Sequence, residues 1–163
     1  MKIVLARVDD RLIHGQVVIG WTRTVGGTHI VVADDETANN SMQRTLLKMA
    51  TPAGVTSTIL SVDDAAKQLL EQKFTGDNVI LLVKGPQALV RLIEAGINLP
   101  KVNVGNIRAS EGKVNLTKGV YAGPEEIQSW KKLDELGVVL EAQWLPDQAK
   151  TNLNEVIRHM DSK

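Results

Sequence analysis

Cysteine is absent from the 163 residues, which excludes disulfides, a thiol nucleophile and thiolate ligation of a metal. Aromatic side chains are scarce, at three Trp, one Tyr and one Phe. No ladder of rings is available for stacking bases or sugars, and Val, Ile, Leu and Ala must fill the core. Neither charge is in excess, with nineteen basic residues against nineteen acidic ones. Nucleic acid is therefore not an expected partner, because a phosphate backbone calls for clustered positive charge. No apolar run approaches the roughly 20 residues that span a bilayer. The apolar stretch within Met1-Lys2-Ile3-Val4-Leu5 is too short for a signal peptide. The expectation is a cytoplasmic protein that meets a membrane only through partners. No two histidines stand at metal-ligand spacing, so no metal and no other cofactor is expected. His29 and His159 read as a strand-edge residue and a helix-end residue.

What is present suits one domain over residues 1–163, with 43% apolar residues to build its interior. Short runs rich in Val and Ile read as strands: Ile3–Val8, His29–Ala33, Thr56–Leu60, Val79–Val83, Val102–Val104 and Val138–Ala142. Several are apolar on both faces, the mark of a parallel sheet covered on each side. Between them, Ile13–Thr24, Thr37–Met49, Ala65–Gln72, Pro86–Ala95, Pro124–Leu136 and Asn152–Met160 read as helices. Within Thr37–Met49, Met42, Leu46 and Met49 share one face. Lys113–Val120 alternates weakly and suits a hairpin strand or an antiparallel edge strand. The alternation implies an α/β fold: an open, mostly parallel, doubly wound sheet with helices on both faces.

Ligands of such sheets sit beyond the carboxyl ends of the strands. The loop after the first strand carries the densest chemistry there, Asp9-Asp10-Arg11-Leu12-Ile13-His14-Gly15-Gln16. A histidine in the first turn of the following helix faces unpaired N–H groups and the positive end of the dipole, so an anion is favoured beside it. Histidine is a competent nucleophile near neutral pH. Arg11 offers a planar fork matched to phosphate oxygens. Backbone N–H groups around Ile13 and Gly15 can add donors. Asp9 and Asp10 repel a phosphate; they can orient Arg11, fix the imidazole tautomer, or cap the helix. Gly85 and Gly105-Asn106 can bring backbone and amide groups near an anion, or serve only as turns. Lys84 is an added cation at a strand end. Taken alone, a loop histidine is as readily a cap or a surface group.

The run Val8-Asp9-Asp10-Arg11-Leu12-Ile13-His14-Gly15-Gln16-Val17 resembles the phosphorylation-site motif of the enzyme IIB subunits of sugar phosphotransferase systems, mannose/fructose/sorbose family. The resemblance extends over Val31–Glu36, Arg44–Leu47, Ala50–Val55, Val102–Asn106 and Leu133–Val138, essentially the whole chain. It implies that His14 takes a phosphoryl group from a phosphohistidine of an enzyme IIA partner, with Arg11 as clamp. Membrane subunits IIC and IID would then present the sugar that receives it. Nδ1 is the nitrogen the resemblance suggests. Gly105-Asn106 leans toward the N-acetylgalactosamine branch, while Thr51–Val55 resembles mannose and sorbose members, so the sugar stays open. Assembly into a homo-oligomer also stays open.

Two other classes compete. Asp9-Asp10 after the first strand suits a receiver-type signalling domain, but the third strand ends Ile59-Leu60-Ser61, so the aspartate that would accept phosphate is missing or displaced to Asp63, and Lys84 stands one strand too early for the lysine of such a domain. No glycine-rich nucleotide fingerprint follows the first strand.

Overall fold

A computed structural model describes residues 1–160. Seven strands form the main sheet in the order β3-β2-β4-β1-β5-β8-β9. They are β1 (Lys2–Asp9), β2 (His29–Ala33), β3 (Thr56–Leu60), β4 (Asn78–Val83), β5 (Lys101–Asn106), β8 (Val139–Ala142) and β9 (Thr151–Asn152). All pairings are parallel except β8 with β9. The hairpin β6 (Val114–Thr117) and β7 (Val120–Ala122) stands apart as a two-stranded sheet. The helices are α1 (Gly15–Val25), α2 (Asp35–Ala38), α3 (Ser41–Ala50), α4 (Val62–Leu70), α5 (Pro86–Glu94), α6 (Pro124–Glu135) and α7 (Leu153–Met160).

The expected α/β sheet with helices on both faces is therefore what the chain adopts. All five residues of β2 are buried. Their alternation feeds two separate cores. Val31 and Leu81 pack with Leu69, Leu89, Leu133 and Ile157 from α4, α5, α6 and α7. Ile30, Val32, Ile80 and Leu82 pack with Val18 of α1 and Leu47 of α3 on the other side. Helix starts follow local chemistry. The Ser61 hydroxyl accepts the Asp64 N–H at 3.1 Å, which starts α4 ahead of the expected Ala65. Glu126 Oε1 accepts the Gly123 N–H at 3.1 Å to open α6.

Several expectations need correction. The helix expected over Thr37–Met49 is two helices, because Asn40 recaps the chain by accepting the Gln43 N–H at 3.0 Å. Its shared face of Met42, Leu46 and Met49 points to solvent, at 72%, 58% and 77% exposure; Leu47 makes the core contact instead. Of the two readings of Lys113–Val120 the hairpin is the one adopted, tied through Val120 to Ile107 just after β5, and the antiparallel edge of the main sheet is β9, two residues long. The first helix starts at Gly15, not Ile13. Leu12 and Gly15 have φ of 60° and 42°, outside helical geometry, while Leu12 and Ile13 turn inward and are buried.

The topology sets the site. β1 lies between β4 and β5. The chain leaves β1 toward β2 on one side and crosses from β4 to β5 on the other. A crevice opens at the carboxyl end of β1, where the order reverses.

Candidate functional site

The turn after β1 is built from its own side chains. Asp9 is 1% exposed. Its Oδ1 accepts the backbone N–H of Arg11 at 3.1 Å and lies 3.5 Å from Arg11 Nε. Its Oδ2 meets His14 Nε2 at 3.1 Å and accepts from Arg7 Nη2 at 3.3 Å. Burial pushes the Asp9 pKa up, but the His14 hydrogen bond, the Arg11 N–H and the Arg7 charge outweigh it and hold the carboxyl below its ordinary value. Asp9 is thus an anion, and an anion can only accept. The neutral imidazole then carries its proton on Nε2 and its lone pair on Nδ1.

His14 is the residue just ahead of α1, in extended conformation (φ −152°, ψ 131°), rather than inside its first turn. Its side chain keeps 22% exposure. Nδ1 has no hydrogen-bond partner among the described residues. The N–H groups of Ile13 and His14 likewise donate to none of them. Ile13 therefore contributes backbone, since its side chain is in the core. Gly15 occupies a left-handed position that a side chain would strain.

Arg11 is one-third exposed, with its guanidinium carbon 5.5 Å from the centre of the Trp144 ring. Its Nε and Nη2 are buried and lack hydrogen-bond partners. Nε already lies beside the Asp9 carboxylate, so Nη2 is the buried donor left over, and a cation with a donor to spare is suited to a multivalent oxyanion.

Asp10 and Asn106 take the supporting rather than the anion-binding role that the sequence left open. Asp10 Oδ1 accepts from Asn106 Nδ2 at 3.1 Å. Oδ2 accepts the Arg108 N–H at 2.9 Å and Nε at 3.2 Å. The Asp10 N–H reaches the Asn106 carbonyl at 2.9 Å. Together they fasten the site turn to the end of β5. Gly85 and Lys84 lie in a neighbouring groove with Asp34, Asp35 and Arg91. There Lys84 Nζ pairs with Asp34 at 3.4 Å, and Gly85 is extended backbone at the start of α5. Among the described residues, no hydrogen bond or ion pair joins Gly85 or Lys84 to His14 or Arg11. Gly105 makes room for a side chain rather than a ligand: a Cβ there would collide with the Arg7 guanidinium.

Arg7 was missed in the sequence reading. It is 2% exposed. Besides Asp9, it donates to Asn103 Oδ1 and to the carbonyls of Gln143 at 3.0 Å and Trp144 at 3.1 Å. Burial lowers its pKa to about 10 against the opposing pull of Asp9, so it remains a cation at neutral pH. The signal was available in the period of the strand. Arg7 and Asp9 are two apart and share one face, alternating with the buried apolar residues Ala6 and Val8. Trp144 was also passed over, since only tertiary folding brings it beside Arg11.

Comparison with known proteins places this geometry. The family model described as "PTS system sorbose subfamily IIB component" matches residues 3–163. The chain belongs to this IIB family. It is 34% identical over 160 residues to the fructose-specific EIIB component of Bacillus subtilis (strain 168), covering 98% of each chain. It is 35% identical over 161 residues to the mannose-specific EIIAB component of Escherichia coli (strain K12), covering 99% of this chain and 50% of that protein. The chain thus spans about half the length of that relative. Among solved structures, the IIBSor domain of the sorbose permease from Klebsiella pneumoniae superposes with a TM-score of 0.92 at 31% identity, over 98% of each chain. Phosphotransferase chemistry is the family's, which sets aside the receiver and nucleotide-binding alternatives. No helix among the described residues is long and apolar enough to cross a membrane.

Proposed function

We propose that the chain is a phosphocarrier: His14 accepts a phosphoryl group from a phosphohistidine on an enzyme IIA partner and passes it to a hexose or amino sugar. The single observation that carries this reading is the Asp9–His14 pair. Asp9 binds Nε2 at 3.1 Å and leaves Nδ1 as the nitrogen with a lone pair.

In acceptance, Nδ1 attacks phosphorus, the Nδ1–P bond forms and the N–P bond of the donor histidine breaks. The positive charge that develops on the His14 ring is balanced by the Asp9 carboxylate. In donation, a sugar hydroxyl attacks phosphorus, the Nδ1–P bond breaks, the electron pair returns to Nδ1 and the hydroxyl proton passes to solvent water. Both transition states spread charge over three equatorial oxygens. Arg11, whose Nη2 lacks a hydrogen-bond partner, and the N–H groups of Ile13 and His14 are the groups suited to bind those oxygens. The sugar is held by membrane subunits IIC and IID. The chain works at the cytoplasmic face of the membrane, recruited there by these partners.

The test is transfer of label from purified phospho-IIA, followed by peptide mapping and bond chemistry. The expected product is a phosphohistidine at residue 14, labile in acid and stable in base. Base-labile label on an aspartate would overturn the reading.

A further inference from the structure

We propose that Arg7 is a positioning residue for phosphoryl transfer: its buried guanidinium fixes the Asp9 carboxylate and, through it, the imidazole tautomer that leaves Nδ1 of His14 nucleophilic. This rests on the reading of His14 as the carrier and extends it to a residue that touches none of the reacting atoms.

The argument is one of charge and donor count. Asp9 is almost fully buried, and a buried carboxylate without a cation either gains a proton or pulls water in. Arg7 supplies the buried cation, at 3.3 Å from the same Oδ2 that meets His14; Arg11 lies 3.5 Å from the other oxygen and is one-third exposed, so water screens it. Should Asp9 become neutral, its hydroxyl would need an acceptor. Nε2 would have to offer its lone pair, and the ring proton would move to Nδ1. The nitrogen intended to attack phosphorus would then be blocked. Arg7 is thus linked to Nδ1 through two hydrogen bonds and a tautomer, with no direct contact.

The surroundings of Arg7 are built for a fixed fork. It has acceptors from three segments: Asn103 on β5, the 143–144 turn after β8, and Asp9. Its guanidinium carbon lies 5.2 Å from the centre of the Trp21 ring. Trp21 Nε1 donates at 2.8 Å to the same Trp144 carbonyl that Arg7 uses. Arg7 therefore also holds the turn whose Trp144 ring lies against Arg11. Room for it exists because residue 105 has no side chain. A lysine would carry the charge but could not serve four acceptors in a plane.

The experiment uses the full chain and three variants, Arg7→Met, Arg7→Lys and Gly105→Ala. Gly105→Ala displaces the guanidinium while retaining its charge, so it decides the matter even where Arg7→Met does not fold. Two quantities are read in folded protein: the His14 tautomer from imidazole nitrogen resonances, and the rate of phosphorylation by phosphoramidate, a small donor that needs no docking surface. The expected result is an Nε2–H tautomer in the wild type and a shift toward Nδ1–H in Arg7→Met and Gly105→Ala. Acceptance in both falls on the order of 10²-fold, the scale for a misplaced reacting group, with Arg7→Lys between them and the wild type. Folded variants with the wild-type tautomer overturn the proposal, whether or not their rate falls, because Arg7 would then act on packing alone. Wild-type protein that takes no phosphate on His14 overturns the carrier reading instead; the tautomer comparison still decides Arg7.

Discussion

The sheet holds a histidine–aspartate pair at each end, and the two imidazoles differ in how fully their nitrogens are used. At the carboxyl end of β1, His14 gives one nitrogen to Asp9 and leaves the other without a partner among the described residues. At the opposite end, His29 uses both. Its Nδ1 meets Asp77 at 3.3 Å and its Nε2 meets the Thr58 hydroxyl at 2.7 Å. The His29 ring packs edge-on against Phe74 at 4.7 Å. The aspartates differ as well. Asp9 is buried with Arg7 behind it, whereas the Asp77 side chain is 35% exposed. A saturated imidazole stabilises a fold. An imidazole oriented from one side by a buried ion pair, and open on the other, can exchange a group.

The largest expected effect separates the two histidines by function. His14→Ala should abolish phosphoryl acceptance and sugar transfer, at a stability cost of under about 1 kcal/mol, since Asp9 keeps two other donors. His29→Ala should retain acceptance. Label transfer with peptide mapping checks both, and label stably carried by His29 would reverse the contrast.

The next effect tests the open side of the site. Arg11→Lys keeps the charge but loses the fork, so acceptance should persist while transfer to sugar slows. Loss of one well-placed donor costs about 2.7–4 kcal/mol in barrier height, which bounds a replacement that preserves charge. Single-turnover transfer from phospho-IIA, and then to sugar with membranes present, measures the two steps; unchanged rates in both would remove Arg11 from the mechanism.

The saturated pair should show itself in stability instead. His29→Ala removes two hydrogen bonds and a ring contact from a buried position, with an expected loss of about 2–3 kcal/mol. Urea unfolding monitored by circular dichroism gives the value, and a loss as small as that of His14→Ala would erase the distinction.

Acid titration sharpens the comparison further. A carboxyl whose folded pKa lies below its unfolded value, about 3.9, stabilises the fold fully above that pH and less as pH falls through the folded value. Asp9 is such a group. Asp35 and Asp134 are others, held low first by hydrogen bonds from Arg91 and Arg158. Stability should therefore fall as the pH drops below about 3.9, and Asp9→Asn should make that acid limb shallower without flattening it. An acid limb of unchanged slope would mean that Asp9 titrates alike in folded and unfolded chains. The smallest effect belongs to Thr58→Val, which removes the hydroxyl beside His29 and should cost about 1 kcal/mol with no change in phosphoryl transfer.

Local sequence determined most of the architecture. Apolar runs such as His29–Ala33 and Val79–Val83 can be buried on both faces only in a covered parallel sheet, and Pro86 and Pro124 announce helix starts. The motif turn and His14 were legible for the same reason, since both follow the first strand directly. Asn39-Asn40 stopped a helix that hydrophobic periodicity alone carried through, because side-chain capping competes with the helix over a distance that such periodicity does not register. What only the tertiary structure decided is which groups surround the imidazole. Asn103, Gln143 and Trp144 are far from Arg7 in the chain, and their meeting depends on strand order. The Asp9 carboxylate is held as an anion by the His14 ring, the Arg11 N–H and the Arg7 charge together, and only the fold brings the first and last of these to it. Sequence supplies the donors and acceptors, but the low-dielectric interior that makes their pairing obligatory exists only once β5 and β8 have closed over one side of β1.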